Sequence, residues 1–269
     1  MLQFRTAAAS HVGLVRSHNE DSGLSGPRLV VVADGMGGAA AGEVASSTSV
    51  RIAEDALRDG SDLAPAELLE QVVDRARAEI REAVTVDPSL AGMGTTFTAV
   101  HTDGTRTAIA HLGDSRAYLW RRQVLEQVTH DHTLVQAMVD AGKLSPAQAR
   151  RSAHRHIVMR SLGGGGLSEP DLGELEVVPG DRLLMCSDGL SDLVDDATLA
   201  LILAVPDAES VVDLLVAAAL DAGGVDNVTC LVVDVVDATA EPGAPAGPVE
   251  RWGAVAELGV ETLPGLRKS

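Results

Sequence analysis

Acidic residues recur in this chain beside glycine or asparagine, at the ends of apolar runs. Residues 29–38 read LVVVADGMGG: four β-forming side chains lead to Asp34, and Gly35, Gly37 and Gly38 follow. The pattern returns where RLLMCS (182–187) meets Asp188 and Gly189, and where Asp226 and Asn227 precede the apolar run from Val228. Asp114 sits in Gly113-Asp114-Ser115, and Glu20 and Asp21 lie near the end of HVGLVRSHNEDS (11–22), which also holds Arg16. Each of these acids alone is an ordinary turn former, and 29–38 alone reads equally well as a strand followed by a loop with a solvated aspartate. A carboxylate beside apolar surface needs a partner or it stays protonated. No lysine stands near the three glycines, so a metal ion is a better partner than a salt bridge. Two carboxylates about 4 Å apart repel by about 4 kcal/mol near a protein surface, so acids that converge need cations to hold them together. An all-oxygen donor set suits Mg²⁺ or Mn²⁺ and not zinc. Two such ions polarise a phosphate and lower the pKa of a shared water, which is the chemistry of phosphoryl transfer to water.

The elements that must position these residues follow from periodicity. The continuous β-branched run at 29–33 predicts a strand covered on both faces, and 4–9, 172–178, 182–187 and 228–236 predict further strands. Between 92 and 128, threonines and valines alternate with polar residues. Turn signals at Asp103-Gly104 and Gly113-Asp114-Ser115 divide this stretch, which reads as an antiparallel meander. Helical spacing marks 40–57, 65–84, 197–203 and 210–221, with Pro65 at a helix start. Short helices are expected at 132–141 and 145–151, the second capped by Ser145 and begun by Pro146. The four-glycine run 163–166 lacks the GK[ST] ending of a nucleotide-phosphate loop. The order of elements predicts an α+β domain over 1–237. The composition turns to Ala, Pro and Gly after 237, so 238–269 reads as a linker and short tail. Trp252, Val255, Leu258 and Val260 would let the tail dock as a short helix, against which Gly253 and Gly259 count.

The 269 residues carry a formal net charge of -18, which argues against nucleic acid or an anionic membrane surface as partner. A hydrophobic content of 45% supports a core that Val, Leu and Ala must supply, because aromatics are only 2%. Cys186 and Cys230 lie in apolar runs and read as a buried reduced pair. No signal peptide is evident and no apolar run approaches a membrane span, so a cytoplasmic chain without a membrane span is expected. His111, His130, His132, His154 and His156 match no compact zinc spacing and read as core or surface residues. Cys186, two residues before Asp188, reads as packing.

Eight motifs occur in the order found in the metal-dependent protein phosphatases of the PPM, or type 2C, family: RSHNED (16–21), VVADGMGG (31–38), GMGTTFTAV (92–100), HLGDSRAYL (111–119), THDHTLV (129–135), RSLGG (160–164), CSDGLSD (186–192) and DNVTCLVV (226–233). Over about residues 4–236 the chain resembles the compact bacterial branch of that family, which opposes Ser/Thr protein kinases. The resemblance implies an α/β/β/α sandwich, with two antiparallel sheets face to face, helices outside both, and metals in a cleft at one edge. It implies that Asp34 bridges two Mg²⁺ or Mn²⁺ ions, that Asp188 and Asp226 ligate one, and that Glu20 and the Gly35 carbonyl serve the other. Asp114 with Asp188 matches a weaker third site. Arg16 matches the arginine that binds substrate phosphate, a role its planar fork suits. Residues 138–160 match a flap beside the cleft. Met36 stands where many eukaryotic members have a histidine proposed as general acid, and Ala39 where bacterial members commonly have one. The implied activity is hydrolysis of phosphoserine and phosphothreonine in proteins, by a monomer whose partners are Ser/Thr kinases and their substrates. One alternative is a non-catalytic phosphoprotein-binding module of the same fold, against which the retained acids count. Another is a phosphatase dedicated to one protein of a partner-switching pathway, against which the motifs at 129–135 and 138–160 count.

Overall fold

The computed structural model describes residues 1–37, 41–59, 63–163, 168–239 and 247–258. Gly38, Ala39, most of the four-glycine run and everything from Gly259 onward lie outside these residues.

The chain opens with β1 (Leu2–His11), β2 (Asp21–Ser25) and β3 (Leu29–Met36), then α1 (Gly42–Arg58) and α2 (Pro65–Val86). Five strands follow: β4 (Gly94–Thr95), β5 (Phe97–Thr102), β6 (Thr107–Leu112), β7 (Arg116–Arg121) and β8 (Val124–Gln127). Next come α3 (Leu134–Asp140), α4 (Pro146–Arg150), β9 (Leu162–Gly163), β10 (Asp171–Glu174) and β11 (Arg182–Cys186). The chain continues through α5 (Asp188–Ser191), α6 (Asp196–Leu203), α7 (Ala208–Asp221), β12 (Val228–Asp237), β13 (Glu250–Gly253) and α8 (Ala254–Glu257). One sheet has the order β1-β12-β11-β7-β8. The other has β10-β6-β5-β3-β2-β13, with β4 and β9 extending from β3. All pairings are antiparallel.

The two central strands show why their sequences carry long apolar runs. Side chains alternate across a strand, so Leu29, Val31 and Ala33 of β3 pack under α1 and α2, while Val30 and Val32 face the other sheet. In β12, Val228, Cys230 and Val232 pack under α5 to α7, while Leu231, Val233 and Val235 face inward. Three apolar layers result, one between the sheets and one beneath each set of helices. The expected α/β/β/α sandwich is therefore present. Cys186 and Cys230 are direct cross-strand neighbours, buried and free. The expected cap holds: Ser145 accepts from the Gln148 amide and Pro146 opens α4.

Three expectations change. The stretch 92–128 is not one meander, because β6 and β7 belong to different sheets. Gly113-Asp114-Ser115 is the crossover between the layers. His132 holds it: its imidazole Nδ1 accepts from Gly113 N–H at 3.1 Å and its own N–H donates to the Gly113 carbonyl at 2.7 Å. The strand expected over 172–178 ends at Glu174; Leu175 adds one bond to the Thr107 carbonyl at 2.9 Å, and Leu175 and Val177 are buried between the sheets. The tail does not dock as a helix alone. Residues 250–253 pair with β2 as an edge strand, and one helical turn follows against α1.

Candidate active site

Strand ends and loops from four distant segments meet at one edge of the sandwich. Asp34 lies where β3 passes from its pairing with β2 and β5 to its short pairing with β4, with Asp21 of β2 directly opposite. Asp188 opens α5 after β11, Asp226 lies in the loop before β12, and Asp114 lies in the crossover. A cleft of about 620 Å³ is lined by Arg16, Glu20, Asp34, Gly35, Met36 and Gly37 from the first part of the chain. Asp114, the flap residues 156–158, Asp188 and residues 225–227 complete it.

The backbone around these acids is held by polar side chains. Thr96 exchanges two bonds with the Asp34 peptide: its N–H donates to the Asp34 carbonyl at 2.9 Å, and its hydroxyl accepts the Asp34 N–H at 2.8 Å. Asn227 pins the first loop, donating to the carbonyls of Val12 at 2.9 Å and His18 at 3.0 Å and accepting the Glu20 N–H at 2.8 Å. Gly35 is required by close approach. A Cβ there would overlap the backbone of Gly42 and the Glu20 carbonyl oxygen, and only glycine lets three chain segments converge so tightly.

Burial and like charge act together on the acids. Asp34 opens partly to the cleft floor, yet burial of its carboxyl, then Asp21, Asp188, Asp114 and Asp226, push its pKa well above the usual range. Burial and then Asp188 do the same to Asp114. Asp21, almost wholly buried, is raised to about 7 by desolvation, although it accepts a hydrogen bond from Ser187 at 2.7 Å. Its other oxygen, Oδ1, is buried with no hydrogen-bond partner. Glu20 is raised by burial, with His18 and Arg16 opposing. Arg16 donates to Asp226 at 2.7 Å and remains about half exposed at the mouth of the cleft.

A buried oxygen without a donor, raised carboxyl pKa values and a lining rich in carboxylates fit divalent cations. Two clusters already bring three ligand groups within 4.8 Å: His18, Glu20 and Glu43, and His156, Asp188 and Asp192. Asp34, Asp188 and Asp226 share the cleft without forming a further such cluster among the described residues, Asp226 being turned to Arg16. The cleft thus brings together every residue singled out from sequence: Arg16, Glu20, Asp34, Gly35, Asp114, Asp188 and Asp226.

Other residues at or around the cleft were given no role there from sequence. Asp21 reads in sequence as one more loop acid; the signal for it is a strand register that puts it across from Asp34. His156, expected as a core or surface histidine, reaches from the flap to within 3.8 Å of Asp188 and 3.4 Å of Asp192. Asp131 and His132 are structural: Asp131 takes a forked bond from Arg116, and His132 bonds Asp171 besides the crossover.

The family model described as Protein phosphatase 2C matches residues 16–218. The serine/threonine protein phosphatase PstP of Mycobacterium tuberculosis is 45% identical over 238 residues, covering 88% of this chain and 46% of PstP. This chain therefore spans about half the length of that relative. The serine/threonine phosphatase stp of Listeria monocytogenes is 36% identical over 232 residues, covering 82% of this chain and 92% of stp. A crystal structure of the PstP catalytic domain in complex with two manganese ions superposes with a TM-score of 0.83 at 43% identity, over 88% of this chain and all of that one. Another relative, the Ser-Thr phosphatase MsPP of Mycobacterium smegmatis in complex with cacodylate, gives 0.77 at 35% identity over 86% of this chain and 97% of that one.

Proposed function

This chain belongs to the protein phosphatase 2C family, and from that we infer that it hydrolyses phosphoserine and phosphothreonine in proteins with Mg²⁺ or Mn²⁺. The observation that carries the reading is the cleft itself, where Glu20, Asp34, Asp114, Asp188 and Asp226 converge with one arginine at the mouth. Asp34 would bridge two ions, Asp188 and Asp226 would hold one, and Glu20 with the Gly35 carbonyl would hold the other. Asp114 with Asp188 would hold a weaker third. When bound, the ions supply a water of lowered pKa and polarise the phosphoryl group.

The side chains account for the remaining steps. Arg16 is long, exposed at the mouth and oriented by Asp226; its fork binds two oxygens of the substrate phosphate and aligns phosphorus over Asp34. Met36 lines the cleft with no proton to give, so the leaving serine or threonine oxygen takes its proton from water. The flap residues 156–158 close one wall of the cleft and meet the polypeptide on either side of the phosphate. Residues 1–237 form the catalytic core in this reading. Among the described residues no helix is long and apolar enough to cross a membrane. The chain works as a cytoplasmic monomer on phosphoproteins, Ser/Thr kinases and their substrates among them.

The test is phosphate release from a phosphothreonine peptide. Turnover requires Mn²⁺ or Mg²⁺, stops on chelation, and falls roughly a thousandfold or more in Asp34→Asn. Full turnover of Asp34→Asn, or peptide binding without turnover by the metal-loaded wild type, would contradict the reading.

A further inference from the structure

Strand β13 lies along the outer side of β2, so that Asp21–Ser25 is flanked on both sides and entirely buried. Three contacts fix it there. Trp252 Nε1 donates to Ser25 Oγ at 3.0 Å, Arg251 Nε donates to the buried Glu54 at 2.6 Å, and Val255 N–H donates to Ser22 Oγ at 3.2 Å. Gly253, at φ +70°, sits so close that a Cβ would overlap the Asp21 carbonyl oxygen.

The contact at Ser22 continues inward. Ser46 Oγ donates to the Glu20 carbonyl at 2.6 Å, a far shorter bond than its 3.3 Å approach to the Glu43 carbonyl. A hydroxyl has one proton, so in the Ser22–Ser46 pair at 3.0 Å it is Ser22 that donates. The direction of every bond is then set: Val255 N–H to Ser22, Ser22 to Ser46, Ser46 to the Glu20 carbonyl. Bonds chained head to tail polarise one another. The relay ends on the peptide between Glu20 and Asp21, and the same Glu20 carbonyl accepts the Gly35 N–H at 3.2 Å.

We propose that residues 250–257 are a positioning strap for the metal centre, and that Ser22 and Ser46 are positioning residues that carry its effect to Glu20 and Asp21. The proposal rests on reading the cleft as a site for divalent ions. The Ser22 hydroxyl bonds neither Glu20 nor any oxygen assigned to a metal, so the hydrogen-bonded route from that hydroxyl to the Glu20 carbonyl runs through Ser46. Residues beyond the catalytic core thereby set how tightly the core holds its ions.

The experiment is calorimetric titration of metal-stripped full chain with Mn²⁺, well below the unfolding temperature, with hydrogen exchange read in parallel. Ser22→Ala and Gly253→Ala each bind Mn²⁺ about three- to tenfold more weakly than wild type. In Gly253→Ala, exchange rises at the amides of residues 250–255 and at Glu20 and Asp21. Denaturant unfolding in chelator checks that Ser22→Ala keeps the metal-free fold, and in a folded variant a role confined to packing would leave Mn²⁺ affinity unchanged. That unchanged affinity overturns the proposal, as does a Gly253→Ala chain that releases the strap and still binds Mn²⁺ like wild type. Should Gly253→Ala fail to fold, Ser22→Ala decides alone. A wild type that binds no Mn²⁺ would instead remove the metal centre itself.

Discussion

Asp21 shows what the cleft costs the fold at the level of single residues. One oxygen is buried without a donor and burial raises the carboxyl pKa to about 7, a poor arrangement for stability unless a cation or its water shell completes it. Asp21→Asn keeps the shape and the bond from Ser187 while removing the charge. It should stabilise the metal-free chain by about 1 kcal/mol and weaken Mn²⁺ binding about tenfold or more. Denaturant unfolding in chelator, set beside a Mn²⁺ titration, checks both signs; a variant destabilised without metal contradicts the account. His111 works in the opposite sense. It is buried, bonded to Thr98 at 2.9 Å and to the His130 carbonyl at 3.1 Å, and burial, followed by the charge on His132, lowers its pKa to about 4. The unfolded chain takes up that proton near pH 6.5, so its contribution to stability is full above about 6.5 and is lost as pH falls toward about 4. The loss amounts to about 2–3 kcal/mol. His111→Gln should flatten unfolding curves over that range, and an unchanged pH dependence would contradict it.

At the scale of elements, the loops that carry the acids are fastened by a few amide side chains. Asn227 satisfies three backbone groups of residues 12–20 at once. Asn227→Ala leaves all three without that partner, and should cost about 2–3 kcal/mol while weakening metal binding through Glu20. Thermal unfolding measured with and without Mn²⁺ checks this; a loss confined to stability, with affinity intact, would show that the loop holds Glu20 without Asn227. The same scale explains what could be read beforehand. Strands β3, β11 and β12 were legible because both faces are buried over most of their length, which leaves long apolar runs at 29–33, 183–186 and 230–233. Strand β2 was not. Its residues DSGLS read as turn formers, and they form a strand only because β3 on one side and β13 on the other supply the ladder. The crossover at Asp114 was also hidden, because local turn chemistry looks alike whether the next strand returns to the same sheet or passes to the other.

For the whole molecule, spacing along the chain could suggest a nest of acids, while only the fold could assemble it. Asp34, Asp114, Asp188 and Asp226 come from β3, the crossover, α5 and the loop before β12, and the fold brings all four to one cleft. The choice of residues was legible from their glycine neighbours and the order of motifs. The roles of Asp21, His156 and the strap were not, since each depends on a contact between segments far apart in sequence. With a formal net charge of -18, the chain gathers its acids against their mutual repulsion, which is the central reason to assign cations to the cleft. Anomalous diffraction from crystals soaked in Mn²⁺ tests that assignment most directly. The account predicts two strong peaks in the cleft, both touching Asp34, one also touching Asp188 and Asp226 and the other near Glu20 and the Gly35 carbonyl. A cleft with no anomalous peak, or peaks that Asp34 does not touch, would contradict it.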